Sequence, residues 1–338
     1  MSPTPAGLPP RPVSRKSRIS AVACVLLAAS AIVAGCGRSA ASATGASRLG
    51  KPDITVAVVP ATAVAGLYIA QQRGYFTAYG LRVKIVPVAS GVNALPDLVN
   101  GSVDIDEGQW TSDISAEASG AAQLQVLAPG NSGGPGLEEV VTPKGSPVRD
   151  ADQLQGKTIA VNALHGLAEL LTVNVLASHG VPASSVHFVV IPFPAMGAAL
   201  ARHQVDAAFM TEPFLTAAEI GHGVTPVFDI DQGAAQEFPI AGYVTTWAWA
   251  ARYPVTVAEF TAALSRGQQA AATSRAAVEQ AMMRALPISR GTAGVMALGS
   301  YPLVMNVSDL DRVAVLMQDN GLLSPSVHTG PLVRGMFR

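Results

Sequence analysis

Cysteine is almost missing from this 338-residue chain, which carries only Cys24 and Cys36, both near its start. So little thiol rules out a disulfide framework and a Cys-rich metal site in the body of the protein. Charge is also scarce. Charged residues make up 13% and the formal net charge is −1, which leaves no basic face of the kind that nucleic-acid binding requires. Aromatic residues are only 5%. No Walker A loop and no dinucleotide fingerprint occurs. One nucleophile-like pattern, Gly130-Asn131-Ser132-Gly133-Gly134, matches G-x-S-x-G, but Pro135 and Gly136 follow it. A nucleophile elbow must join strand to helix directly, so this stretch reads as a flexible loop. What remains is apolar: 49% hydrophobic residues over a length sufficient for two domains with sizeable cores.

The first 35 residues do not belong to that fold. Arg11, Arg15, Lys16 and Arg18 form a basic segment, and Ile19 to Ala34 is an uncharged apolar run. The run is shorter than the roughly 20 residues a spanning helix needs. It ends in Val33-Ala34-Gly35-Cys36, which resembles a bacterial lipoprotein cleavage box. Residues 1–35 are therefore expected to be a lipoprotein signal peptide, with Cys36 the lipidated residue. Cleavage would remove Cys24 and four cations but no acid, leaving a net-negative mature chain with no internal thiol. Ser39 to Ser47 is a small-residue tether, so 36–51 is expected to be a lipid-anchored flexible linker. Lipid on Cys36 would hold the protein to a membrane without a spanning helix.

The body is written twice. Leu98-Val99-Asn100-Gly101-Ser102-Val103-Asp104-Ile105 and Leu200 to Phe209 each read as a helix end, a tight turn and a Val-Asp opening a strand. Ile54 to Val59 and Thr158 to Val161 each open a similar βαβ unit. Helices are expected over Ala65–Arg73, from Gly91 to Gly101, over Leu167–Ser178 and up to His203. Strands are expected at Leu81–Val86, Val186–Ile191 and Ala207–Met210. Tyr75, Phe76 and Tyr79 read as lobe packing. Glu139–Thr142 and the β-rich Tyr243–Ala250 are candidate crossings between lobes. From Pro254 onward the pattern is helical, with a long helix from about Val257 broken near Ser274. A last helix spans Asp309 to Asn320, with Ser308 as its candidate cap.

Several blocks together resemble the type II periplasmic solute-binding proteins of ABC importers, in the group serving nitrate, sulfonates, taurine and thiamine precursors. They are Leu67-Tyr68-Ile69-Ala70-Gln71, Gly74-Tyr75-Phe76, Gly80-Leu81, Leu98 to Asp104, Leu154 to Val161, Val205-Asp206-Ala207-Ala208, Glu212-Pro213-Phe214 and Arg252-Tyr253-Pro254. Their order and spacing, from about Ile54 to Met282, carry the likeness. The resemblance implies an α/β fold of two lobes with a ligand cleft and two crossover segments. Lobe 1 would comprise 52–140 and 246–338, and lobe 2 would comprise 141–245. It also implies an extracytoplasmic monomer that captures a small solute and delivers it to ABC permease transmembrane subunits, with no cofactor, no catalytic residues and no metal. An enzyme of the same fold, related to thiamine-pyrimidine synthesis, is the alternative from another class, but its cysteine-rich motif has no counterpart here.

Ligands of open parallel sheets sit outside the carboxyl ends of the strands. That rule selects Thr62, Asn93, Gln109, Trp110, Asn162, His165, Phe193 and Glu212 as ligand-binding candidates. Trp110 stands among Asp104, Asp106, Glu107 and Gln109, a polar setting for a core tryptophan. Phe193 lies between two prolines at a strand end. Asn93 and Asn162 could equally be helix caps. His165 and Glu169 are four apart, but no further metal ligand is evident. The selected loops contain no Arg or Lys, which small anions usually require. With Glu107 and Glu212 nearby, the expected solute is a small neutral or cationic organic molecule, pyrimidine-like or a vitamin precursor. A nitrate-, sulfonate- or taurine-type anion is the alternative.

Overall fold

The computed structural model describes residues 49–231 and 235–337. The expected signal peptide, Cys36 and the Ser39–Ser47 tether lie outside them. Among the described residues, no helix is long and apolar enough to cross a membrane.

Among the described residues, ten strands form two five-stranded sheets. The first contains β1 (Asp53–Val58), β2 (Arg82–Pro87), β3 (Ile105–Gln109), β4 (Leu124–Ser132) and β10 (Pro239–Thr246), in the order β2-β1-β3-β10-β4. The second contains β5 (Glu138–Thr142), β6 (Thr158–Val161), β7 (His187–Val190), β8 (Ala207–Thr211) and β9 (Thr225–Asp229), in the order β7-β6-β8-β5-β9. The two orders are the same pattern. Three parallel strands are followed by one antiparallel strand that has arrived from the other sheet. The chain crosses after β4 and again after β9. Glu138–Val140 therefore pair within the second sheet and Pro239–Thr245 within the first, a few residues ahead of the expected lobe boundaries.

The helices are α1 (Ala65–Gln72), α2 (Tyr75–Ala78), α3 (Gly91–Asn100), α4 (Trp110–Ser119), α5 (Leu167–Ser178), α6 (Phe193–Ala201), α7 (Phe214–His222), α8 (Trp247–Arg252), α9 (Pro254–Thr273), α10 (Arg275–Ala285), α11 (Arg290–Val295), α12 (Val307–Asp319) and α13 (Thr329–Gly335). The repeated aspartate has the same job in each sheet. Asp104 accepts from the Thr55 N–H and returns its own N–H to the Thr55 carbonyl, both at 2.9 Å. Asp206 does the same with Thr158, also at 2.9 Å. Each carboxylate satisfies a strand N–H that would otherwise be orphaned at the sheet's edge.

Late helices cover the first sheet. α9 packs on α1 so closely that a Cβ on Gly267 would lie 2.0 Å from the Gly66 carbonyl oxygen. Phe76 stacks on Phe260 at 5.3 Å between ring centres, as core rather than ligand contact. Three sequence expectations need correction. Tyr243–Ala250 is not one strand: Thr246 accepts from the Trp249 N–H and starts α8. Gly130 lies inside β4, not in a loop, pressed against Ala241. α12 is capped by Asn306, whose side chain and that of Asp309 form a reciprocal capping box, so Ser308 is inside the helix.

Candidate functional site

The carboxyl ends of β1, β3 and β8, the crossing between β4 and β5, and the start of β10 converge between the sheets. They enclose a cavity whose free space is only about 20 Å³, room for about one water. Ligand pockets usually offer roughly 300–1,000 Å³, so the lobes stand closed on this site. Its walls are Val59, Ala61, Ala63, Glu107, Gln109, Asn131, Glu138, Phe193, Thr211, Ile240 and Ala241. A larger groove of about 500 Å³ lies on the outside of the first lobe, between β4 and α9. It has no charged lining residue and stands away from the strand ends, so the interior cavity is the better site despite its size.

Strand alternation explains the lining. Glu107 and Gln109, two apart on β3, face the cavity, while Asp106 and Gly108 face α4. Asp106 and Asp113 close on Gly108 from two sides, within 2.8 and 3.2 Å of where a Cβ would stand. Five polar wall residues are buried, Thr211 among them at 7% exposed. Glu107 is 1% exposed, Glu138 2%, Asn131 3% and Gln109 8%. Glu107 Oε1, Asn131 Oδ1 and Glu138 Oε2 have no hydrogen-bond partner within the protein. Burial pushes the Glu107 carboxyl well above the usual carboxylate range, helped by Asp106 and Asp113 and opposed by the Val59 N–H. Burial likewise raises Glu138, reinforced by Asp231 and Asp229 and opposed by the Thr211 hydroxyl.

Of the eight candidates chosen from sequence, Gln109 and Phe193 line the cavity. Phe193 is backed by Phe214, stacked at 5.9 Å, and by Phe209 at 6.4 Å. Trp110 does not line it. Its indole is fully buried against β10, where a Cβ on Gly242 would meet Cζ2 at 2.0 Å. Asn93 is exposed and accepts from Ser90 Oγ at 2.6 Å. His165 is exposed, with φ +57, and its N–H donates to Glu169 at the head of α5.

The remaining three candidates tie the sheets' surroundings together. Thr62 donates its N–H to the Glu212 carbonyl at 3.1 Å, and Tyr301 Oη donates to the Thr62 carbonyl at 3.0 Å. Asn162 Nδ2 donates to the Ala89 carbonyl at 3.4 Å. Glu212, followed by a cis Pro213, is committed: its carboxylate accepts from Thr216 Oγ1 at 2.6 Å, Thr216 N at 3.2 Å and Ala297 N at 3.1 Å. Asn131 and Glu138 also line the cavity and were not among the candidates. The signal available was topological: a strand that crosses between sheets must begin at the cleft. No group of three or more His, Cys, Asp or Glu side chains among the described residues is placed to hold a metal.

The family described as NMT1/THI5 like matches residues 61–276, well over half of the chain. The chain belongs to that family. No curated protein matches the sequence. Solved structures do. An alkanesulfonate-binding protein from Xanthomonas axonopodis pv. citri, bound to MOPS, superposes with a TM-score of 0.71 at 18% identity, covering 83% of this chain and 98% of its own. The periplasmic nitrate-binding protein of Synechocystis PCC 6803 gives 0.71 at 16% identity, with 86% and 87% covered. A mutant of DSZB, in complex with biphenyl-2-sulfinic acid, gives 0.61 at 17% identity, with 83% and 96% covered. At such identities the likeness establishes the fold, that of the type II periplasmic binding proteins.

Proposed function

We propose that this NMT1/THI5-like protein is the extracytoplasmic receptor of an ABC-type importer. It captures a small organic solute between its two lobes and hands it to the permease transmembrane subunits, while lipid on Cys36 keeps it at the membrane. The observation that carries this reading is the cavity itself. It is built from both sheets, sits at their carboxyl ends, and is closed by bonds such as Thr62 to Glu212. A solute can enter only if the lobes part, and contacts to both lobes then favour closure around it.

The wall also supports the choice of solute. It offers an aromatic face in Phe193 and several hydrogen-bond acceptors, and includes no Lys, Arg or His. That composition suits a pyrimidine or vitamin-precursor-like molecule. It provides neither the cations that commonly hold a sulfonate or nitrate nor a nucleophile–base pair for an enzyme of this fold. The anion reading draws support from the sulfonate- and nitrate-binding proteins of the same fold.

Thermal melting of the purified protein against panels of pyrimidines, alkanesulfonates and nitrate tests the receptor reading. A bound solute at 100 times its Kd adds about 2.7 kcal/mol, which is several degrees of melting temperature without turnover. Consumption of a solute, or no stabilisation by any panel, would overturn it.

A further inference from the structure

Deepening that reading, we propose that the solute presents a cationic, donor-rich group of the amidine or guanidine kind to Glu107 and Glu138 together, with Asn131 accepting a further hydrogen bond. The inference rests on the receptor reading but asks more of the site. Three acceptor atoms without a protein partner, Glu107 Oε1, Asn131 Oδ1 and Glu138 Oε2, belong to residues at most 3% exposed and line one cavity. Buried acceptors left unpaired are costly. Once the lobes part to admit it, a ligand with N–H groups on both sides relieves all three at once.

The two carboxyls come from different sheets, Glu107 from β3 and Glu138 from β5. A cation held between them therefore draws the lobes together, so recognition and closure become one event. The acids around the two carboxyls disfavour an anion. Asp106 and Asp113 stand around Glu107, and Asp229 and Asp231 stand around Glu138. A sulfonate would have to lie against acceptors and acids with no cation in the wall, a repulsive element that separates donor solutes from anions. The Phe193 ring, held by Phe209 and Phe214, covers the flat face of a conjugated group.

The carboxyls also set a proton requirement. Burial favours their neutral forms in the empty receptor. A cationic ligand favours the carboxylates, so binding expels protons, and affinity falls as pH is lowered. Gln is the isostere of the protonated carboxyl, so Glu107→Gln and Glu138→Gln should fold normally while losing the ability to become anionic.

The experiment is calorimetry and thermal melting on the full chain with benzamidine, acetamidine, taurine and nitrate. The melting temperatures of E107Q and E138Q, measured without ligand, confirm folding. Benzamidine or acetamidine, each already cationic in solution, should stabilise the protein and release protons, detected as a heat that differs between buffers of different ionisation enthalpy. Each Gln variant should bind that probe roughly 10- to 100-fold more weakly. Stabilisation by taurine or nitrate alone overturns this proposal and leaves the receptor reading standing. No shift with any of the four sinks this proposal, and the wider solute panels then decide the receptor reading. Unchanged affinity in E138Q overturns the two-sided grip.

Discussion

The two lobes are framed identically and furnished differently. Asp104 and Asp206 pin their strands to Thr55 and Thr158 with the same pair of 2.9 Å bonds. Counting the same distance downstream from each aspartate, Glu107 in the first lobe corresponds to Phe209 in the second, and Trp110 to Glu212. The first lobe thus aims an incompletely satisfied carboxyl at the cavity where the second buries a phenylalanine behind Phe193. At the second pair the relation inverts: the first lobe buries an indole, and the second a carboxylate with three donors. A repeated scaffold keeps its backbone hydrogen bonding because both sheets need it. The positions just beyond are free to divide packing and binding between the lobes.

The largest effect that would break this comparison is at Trp110. If its role is packing against Gly242, Trp110→Ala should cost about 3–5 kcal/mol in denaturant unfolding. A variant that keeps full stability but loses solute binding would return Trp110 to the cleft. A second effect appears in pH. Burial raises Asp106 from 3.8 to about 8. The folded chain therefore keeps a proton that the unfolded chain gives up at about pH 4. Stability should be greatest below that point and fall as pH rises toward about 8. Asp106→Asn should flatten that slope, and a stability that instead rises with pH would contradict the assignment. The smallest effect tests the frame. Asp104 is buried and also bonds Trp249 Nε1 and Lys51, whereas Asp206 is half exposed, with Lys157 at 3.8 Å. Asp104→Ala should cost roughly 2–3 kcal/mol and Asp206→Ala roughly 1 kcal/mol. Equal costs would mean that the partners around Asp104 add nothing.

The repeat and the parallel strands could be read from the chain because each leaves a local mark, such as Gly101 ending α3 or the apolar run Ile54–Val59. Gln109 and Phe193 were accessible by the strand-end rule, which needs only the strand assignment. Trp110 was selected for its acidic sequence neighbours, and the fold buries it against β10. Those acids are themselves buried on alternate faces of β3 and α4, so a polar neighbourhood in sequence did not mean an open one in space. Glu212 looked like a ligand group because a lone acid after a strand usually is solvated or functional. Thr216 lies one helical turn away, where its N–H and hydroxyl meet the carboxylate, while Ala297 comes from far along the chain. Asn131 was hidden in the glycine-rich stretch from Gly130 to Gly136, and Glu138 lies just beyond it, one residue before the extended piece expected at Glu139.

Sequence alone determined the two-lobed α/β plan, since hydrophobic period and turn residues are properties of short segments. It also determined that no cation stands in the strand-end loops. The tertiary structure decided which acids face the cavity and which are spent. That outcome depends on partners far apart in the chain, such as Val59 for Glu107, Thr211 for Glu138 and Ala297 for Glu212. A carboxylate's role follows from the donors around it, and those donors are assembled only when the two sheets close.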